Sequence, residues 1–424
     1  MFKRIISYSN KYFNLFDLIE DISDLRAKPQ IACSDISSSI LSLLFCNFGS
    51  LNKFNQARDI SSVGNIVGRV PSASTVARAA DSMDLDNIRE ILKSIYLKAK
   101  RSKMISPYCG KWIGIIDAHE ICSSDIHRCC LCSIRNVSKI EGQIKLNYYH
   151  RYTAFILAGP KFAFMLDIEP ICLGEGELTS SCRLLERVCR DYPKAFETVT
   201  GDALYLNGNT FNLLASHGKY TAAVLKDERR YLYEEAISLS EISDPVTYEE
   251  ENTIYRVWDH TVSGMWDGYN GPVRVIKSEE TKYVRHHCQE LGKWEMQEEK
   301  ADWLWVTNLP TVVGLKNVVS ICHSRWQIEN KCFNEIVNTW NADHVYRHSQ
   351  NAISAFILFL FIVLNIFNIF FARNIKEARI STKSFLIGLV KAEFILAKWL
   401  YPIPVWHLLL IFQTNQIHLL QLYK

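Results

Sequence analysis

The chain has 424 residues, of which 48% are hydrophobic and 22% charged, so it is too long for one small core and too apolar for a disordered protein. Its formal net charge of +3 excludes a protein that coats nucleic acid through bulk charge, so contacts with a polyanion must come from local patches. The N-terminus, Met1-Phe2-Lys3-Arg4, lacks the apolar run of a signal peptide, so we expect the thirteen cysteines to be reduced cytosolic thiols.

Residues 1–105 carry helical patterns and few strand-like alternations. The stretch Pro71-Ser72-Ala73-Ser74 is suited to start one helix, and either Asp84 or Asp86 is suited to cap a second. The second helix ends in basic residues that suit either a phosphate backbone or simply a helix C-terminus: Lys98, Lys100, Arg101 and Lys103. We therefore predict an N-terminal helical region.

From Lys111 the pattern changes to short apolar runs that are typical of buried strands. The predicted order is strand, strand, strand, helix, strand, helix and strand, at 112–117, 148–157, 161–168, 177–192, 198–200, 209–216 and 220–225. This order predicts an α/β fold with a mixed sheet, whose first part lies in residues 106–228.

Residues 229–300 interrupt this order with alternating β-like runs and a turn rich in Gly, Asn and Pro. We interpret this segment as an inserted β subdomain. The apolar run 303–306 returns to the core, and a helix with Arg325 and Glu329 follows. Residues 301–348 are therefore predicted to supply the last strand and helix of the core.

A long apolar stretch opens the C-terminal region, residues 349–424. Residues 348–372 contain no Lys, Arg, Asp or Glu, and that length suits either a transmembrane helix or a buried core helix. Asn365 and Asn368 lie one helical turn apart within it, where amides are costly against lipid but acceptable if they reach partners inside a protein. We expect a buried helix, a helical C-terminal region and no membrane span.

Three acidic residues stand out by position: Asp117 ends the first predicted strand, Asp202 follows the fourth, and Glu329 lies on the last helix. Carboxylates at strand ends suit Mg²⁺ or Mn²⁺. Two such ions about 4 Å apart activate a water or a 3′-hydroxyl for attack on a phosphodiester. The alternative for each residue is a turn or capping role. Glu175 and Glu177 suit either a fourth metal contact or the first turn of a helix.

Arg325 stands four residues before Glu329, so a regular helix places both charges on one face. With the segment from Ser324 to Asn330 and the later Asp343-His344, the chain resembles the DDE transposases of bacterial insertion sequences. The resemblance is to the branch with a Tyr-x2-Arg-x3-Glu-x6-Lys signature, and it covers about residues 111–348.

This resemblance implies a ribonuclease-H-like catalytic core with an all-β insertion before the last catalytic helix. It implies that Asp117, Asp202 and Glu329 are the catalytic, metal-binding triad, and that Arg325 contacts a DNA phosphate beside them. It also implies cut-and-paste transposition, with double-stranded transposon ends and target DNA as partners, residues 1–105 as a DNA-binding region, a homodimer on paired ends, and a cytoplasmic, nucleoid-associated location.

The signature is incomplete in this chain. Cys322 stands seven residues before Glu329 and Ile336 seven residues after it, where the family pattern has Tyr and Lys. Lys331 is the nearest other cation, although a regular helix turns it roughly 200° away from Glu329. Basic residues in the segment after the first strand are further candidates for DNA contacts: Arg128 and Arg135.

Five of the thirteen cysteines fall within residues 109–132. Cys129-x-x-Cys132 has the spacing of a zinc knuckle, and His127 and Cys122, or His119, are the nearest residues that could complete a Zn²⁺ site. No second Cys-x-x-Cys or Cys-x-x-His pair accompanies it, and reduced cysteines are also ordinary buried residues.

Two other functions stay open from the sequence. One is a related nuclease, or a decayed copy that only binds DNA, since the signature is incomplete. The other is a membrane-anchored protein with a cysteine-rich metal module, which the apolar stretch would permit.

Overall fold

The computed structural model describes residues 1–58, 71–140, 143–226, 230–288, 293–375 and 383–396. The N-terminal region is helical, as predicted, with α1 to α6 at Phe2–Phe13, Leu15–Glu20, Cys33–Phe45, Leu51–Arg58, Ala73–Ala80 and Leu85–Arg101. The predicted start of α5 is confirmed, and of the two candidate caps of α6 it is Asp84 that acts. The Ser72 hydroxyl accepts a hydrogen bond from the Thr75 N–H at the start of α5, and the Asp84 carboxylate accepts one from the Asp86 N–H at the start of α6.

The middle of the chain forms strands with helices between them. Strands β1 to β6 are Ile113–Ser124, Ser133–Ile140, Gln143–Leu157, Phe164–Ile171, Thr198–Gly201 and Tyr220–Val224. Strands β7 to β12 are Val246–Glu250, Thr253–Val262, Met265–Trp266, Tyr269–Asn270, Val273–Cys288 and Lys293–Thr307. The helices between them are α7, Glu177–Asp191, α8, Gly208–Ser216, and α9, Arg230–Glu241.

Ten of these strands form one mixed sheet within the described residues, in the order β2-β3-β1-β5-β6-β12-β11-β8-β7, with β4 also paired to β3. Strand β1 is antiparallel to β3, and β3 is antiparallel to β4. Strand β5 is parallel to both β1 and β6. The predicted α/β class, with a mixed sheet and helices towards both ends of the chain, is confirmed.

The segment that was predicted to be an inserted β subdomain extends this same sheet. It begins with helix α9, which the sequence analysis did not predict, and continues into β7, β8 and the long hairpin β11–β12. Strand β12 runs through the predicted boundary at residue 300 and pairs antiparallel with β6, where Val306 lies opposite Ala223. The inserted strands are therefore continuous with the core.

The C-terminal part is again helical. After β12 come α10, Leu315–His323, the short α11, Trp326–Ile328, a π-helical turn, Glu329–Phe333, and α12, Asn334–Trp340. They are followed by α13, Gln350–Asn374, and α14, Lys383–Leu396.

Among the described residues, α13 is the one helix that is long and apolar enough to cross a membrane. It is, however, mostly buried against β4, α6 and α3. Asn365 reaches a partner as predicted, because its amide exchanges hydrogen bonds of 2.9 and 2.8 Å with the backbone N–H and C=O of Met165 in β4. The same prediction for Asn368 is wrong, since its buried amide has no hydrogen-bond partner in the described part of the chain. The helix therefore covers the outer edge of β4.

Candidate active site and metal centre

Asp117 lies inside strand β1, not at its end. Strand β1 continues to Ser124 because β3 keeps pairing with it, with Asp117 opposite Ala154. The prediction that the strand stops at Asp117 is therefore wrong. The parallel neighbour β5 does stop at this level, since its last pairing with β1 sets Thr200 opposite Ile115. Asp117 thus lies where one side of β1 becomes free, which is an edge suited to a binding site.

Asp202 is the first residue after β5. Its Oδ1 accepts a 2.8 Å hydrogen bond from the Leu204 N–H and begins the 3-10 turn Ala203–Tyr205. Because β1 and β5 are parallel, continuing their register by two residues brings Asp202 level with Asp117. The two carboxyl groups also interact, since the charge of Asp202 raises the pKa of Asp117. The structure therefore brings together two of the three predicted acids.

The environment of Asp117 disfavours its negative charge. Burial is the main cause that raises the pKa of Asp117 from 3.8 to about 7, and the Asp202 charge adds to it. The Ala118 N–H, which donates a 2.9 Å hydrogen bond to Oδ1, and the cation of Arg325 act in the opposite direction. A bound cation would favour the ionised pair, so this arrangement is chemically suited to a divalent ion.

Glu329 begins the π-helical turn, which interrupts the helix that the sequence analysis treated as regular. Such a turn changes the angular position of the residues that follow it. Ile336 therefore does not lie where a regular helix would place it relative to Glu329. Phe333, at the end of the turn, stacks on His119 of β1 with ring centroids 4.5 Å apart. The turn therefore packs against the strand that carries Asp117.

Arg325 connects Glu329 with Asp117. Its Nη1 donates a 2.8 Å hydrogen bond to Glu329 Oε1, which confirms the predicted contact four residues apart, and lies 3.8 Å from Asp117 Oδ2. The guanidinium also packs over Trp326, 4.1 Å from the ring centroid, and the residue is only 9% exposed. The cation therefore lies between two of the three candidate carboxylates.

Glu177 is a fourth acid at this site. From the sequence, it suited either a metal contact or the first turn of a helix. Its Oε1 accepts a 2.9 Å hydrogen bond from the Tyr205 hydroxyl. Burial raises the pKa of Glu177, and the charge of Asp202 raises it further. Glu177 in turn raises the pKa of Asp117. Glu175 faces elsewhere, where it pairs with Arg183.

The acids do not meet in one coordination sphere. Within the described ranges, no three carboxylates bring their oxygens as close together as one ion requires. Their chemistry nevertheless fits Mg²⁺ or Mn²⁺, because Asp117, Asp202 and Glu329 offer hard oxygens from three separate elements. An ion that bridged Asp117 and Glu329 would take the place of the Arg325 guanidinium between them.

All four residues predicted to contact DNA have partners inside the protein, and three of them are held by a carboxylate, by a backbone carbonyl or in a buried position. Arg325 is buried, and Lys331 donates to the Gly159 carbonyl at 2.8 Å, in the turn between β3 and β4. Arg135 makes two 2.7 Å hydrogen bonds to Glu120. Arg128 is exposed and donates to a neutral partner, the Tyr148 hydroxyl, at 3.0 Å. Of these four residues, Arg128 has its charge most available for a phosphate.

The two signature positions that lack polar residues are both in the core. Cys322 is 3% exposed and Ile336 is fully buried. Neither side chain faces solvent, so in this chain these positions pack the helix and do not present groups to a ligand. One regular helix would put both positions on the Glu329 face, but a turn at Ser324 and Arg325 separates Cys322 from Glu329, and the π turn separates Glu329 from Ile336.

A second group of potential ligands lies on the β2 side of the sheet. The side chains of Cys129, Cys132, His150 and His348 bring their ligand atoms within 4.8 Å of one another, so they could hold a metal ion. Burial, with a smaller effect of His348, lowers the pKa of His150 to about 4, so its imidazole is neutral at pH 7 and can offer a lone pair. Burial raises the pKa of Cys132 to about 11, so a metal ion would have to displace its proton.

Cys129 and Cys132 do belong to a cluster of side chains that could hold a metal ion, but the two other predicted ligands are not part of it. His127 is exposed in the loop, and Cys122 is buried in β1 outside the group of four. His150 and His348 occupy those roles because β3 and the segment before α13 fold against the loop. His119, the third candidate, instead stacks on Phe333.

None of the known protein-family models matches this chain, and no curated protein matches it either.

Proposed function

We propose that this chain is a DNA transposase of the DDE type, which cleaves DNA at element ends and joins the freed 3′-hydroxyls to target DNA. The observation that carries the proposal is the proximity of Asp117 and Asp202 where the parallel pairing of β1 with β5 ends, with Arg325 linking Asp117 to Glu329. A carboxyl group whose pKa is raised by burial and by a neighbouring acid, as that of Asp117 is, is typical of a catalytic site.

The sheet supports a ribonuclease-H-like core for this function. Three antiparallel strands, β4, β3 and β1, lie beside two strands, β5 and β6, that run parallel to β1. The first two acids lie on the central pair, and the third reaches the same edge from a helix that follows the last strand. This is the arrangement that the transposase resemblance implies.

Each acid has a role in the proposed reaction. Mg²⁺ or Mn²⁺, when bound, supplies Lewis acidity to the attacking water or 3′-hydroxyl and to the leaving oxygen. Asp117 and Asp202 are the ligands from the sheet, and ionised Asp117 is the form that binds. Glu329 is the ligand from the helix, and Arg325 orients it. The thiols and imidazoles of the Cys–His group are softer donors, which suit Zn²⁺.

The DNA contacts that fit this proposal are electrostatic. Arg128 lies in the loop after β1 with its charge exposed, and it would meet a phosphate without reading sequence. Arg325 would contact a phosphate only if it left Glu329, so we assign it first to positioning. A homodimer on paired DNA ends and a nucleoid-associated location in the bacterial cytoplasm complete the proposal.

Strand transfer is the reaction that tests it. The purified protein is mixed with Mg²⁺, a supercoiled target plasmid and a labelled duplex that carries the DNA flanking its own gene. We expect label to become covalently joined to the plasmid by wild-type protein and not by Asp202→Asn. Cleavage without joining would favour the related nuclease, and DNA binding without cleavage would favour a decayed copy.

A further inference from the structure

We propose that Cys129, Cys132, His150 and His348 bind one structural Zn²⁺ ion that fastens the start of helix α13 to the catalytic sheet. This site is separate from the carboxylates and does not depend on the DNA reaction. Its four ligands come from the loop after β1, the residue before β2, the middle of β3 and the segment before α13.

Four of the distances between the ligand atoms match those of a tetrahedral zinc site, and all the ligand atoms lie within 4.8 Å of one another. Zinc bonds of about 2.3 Å to sulfur and about 2.0–2.1 Å to nitrogen place two sulfurs about 3.8 Å apart and a sulfur and a nitrogen about 3.5 Å apart. The two cysteine Sγ atoms are 3.7 Å apart, and they lie 3.4 and 3.5 Å from His150 Nε2. His348 Nδ1 is 3.7 Å from the Cys132 Sγ.

A disulfide does not explain this group, because bonded sulfurs would lie about 2.05 Å apart. Ordinary core packing explains it poorly as well, since two thiols and two imidazoles converge through their polar atoms. Cys132 is 3% exposed and His150 is 6% exposed. Cys129 and His348 are partly buried. Four protein ligands are typical of structural zinc, whereas a catalytic zinc site keeps a position open.

The ion would close a long loop of the chain. Cys132 and His348 are 216 residues apart in sequence. The residues beside His348 already hold the N-terminal helices, because Arg347 and Ser349 both bond to Asp81. Ser349 also caps α13. Zinc at His348 would therefore join the N-terminal helices, α13 and the sheet at one point.

Metal analysis of the purified full chain, prepared without chelator or added zinc, tests this inference. We expect about one zinc ion per chain in the wild type and less than about one tenth of that in Cys132→Ser and His348→Ala. The matched controls are Cys130→Ser and His127→Ala, which change exposed neighbours in the same loop and should keep the ion. Equal zinc loss in these controls would overturn the assignment.

Cobalt substitution gives a second readout that needs no variant. Co²⁺ bound to two thiolates and two imidazoles in a tetrahedron should show intense visible d–d bands and a thiolate charge-transfer band. Zinc should displace these bands at one equivalent. Weak octahedral bands, or no binding, would overturn the proposal even if the cysteine variants fail to fold. Neither measurement involves DNA cleavage, so this inference and the proposed transposase activity can fail separately.

Discussion

Arg325 donates a 2.8 Å hydrogen bond from Nη1 to Oε1 of Glu329. The same nitrogen lies 3.8 Å from Asp117, so one cation faces both a strand acid and a helix acid. In the proposed enzyme this arrangement holds Glu329 towards Asp117 and also competes with a divalent ion for the space between them. Removal of the Arg325 charge should therefore affect metal binding and catalysis in opposite directions.

Replacing Arg325 with Gln should tighten Mg²⁺ binding and still slow DNA cleavage. A unit charge about 4 Å away contributes about 1–4 kcal/mol, depending on solvent screening, so Mg²⁺ affinity should rise at least about fivefold. Cleavage should fall because Glu329 loses the side chain that orients it. Isothermal titration with Mg²⁺ and single-turnover cleavage measure the two effects. Arg135→Gln, at an exposed ion pair, is the control and should change neither.

Ionisation of Asp117 should lower the free energy of unfolding at neutral pH. Its folded pKa of about 7 lies above the ordinary value of 3.8, so the folded state keeps a proton that the unfolded state has lost. Stability attributable to this group therefore falls as pH rises from about 4 to 7 and is then constant. The unfavourable contribution is at most about 4 kcal/mol.

The test compares urea unfolding of the wild type and Asp117→Asn, without divalent ions, between pH 4 and pH 8. The variant should gain stability relative to the wild type across this interval. Added Mg²⁺ should stabilise the wild type more than the variant, since the ion binds the ionised acid. A difference that does not change with pH would contradict the assigned environment of Asp117.

Asn365 and Asn368 should respond oppositely to the same substitution. Asn365→Leu leaves the backbone N–H and C=O of Met165 without partners, so it should cost about 2–4 kcal/mol. Asn368→Leu removes a buried amide that has no partner in the described part of the chain, so it should be neutral or stabilising. Denaturant unfolding measures both, and a similar loss in the two variants would argue against this packing of α13.

Glu177→Gln should weaken the proposed reaction although Glu177 is outside the predicted triad. It bonds to Tyr205 and acts on Asp117 electrostatically, so its loss should lower Mg²⁺ affinity or cleavage by about 10–100-fold, as for other residues that support metal ligands. Glu175→Gln is the matched control, because Glu175 pairs with Arg183 away from the acids. Equal rates for the two variants would remove Glu177 from the site.

The core strands could be predicted because most of them are continuous apolar runs. Strands β5 and β6 begin at the predicted residues and end within one residue of the predicted ends. Strand β2 was missed because Ser133–Ile140 mixes polar and apolar residues, and one of its apolar side chains, Ile134, is 57% exposed. A peripheral strand of this kind depends on its pairing with β3 more than on its own sequence.

The sites show where local patterns stop being informative. Cys129 and Cys132 were found by their spacing, but His150 and His348 are 18 and 216 residues from Cys132, so no spacing rule could join them. The breaks around Glu329 likewise have no pattern of their own, so the sequence could not show that Cys322 and Ile336 pack in the core and not beside Glu329. Both features depend on tertiary packing.

The most direct test of the central claim is Mg²⁺-dependent cleavage of DNA that carries the sequence flanking this gene. Wild-type protein should nick this DNA and leave 3′-hydroxyl ends, and chelation of divalent ions should stop the reaction. Asp117→Asn should lower the rate at least about 100-fold, with Asp343→Asn as a control outside the carboxylate set. Equal nicking by wild type and Asp117→Asn would contradict the assignment of these acids as the catalytic site.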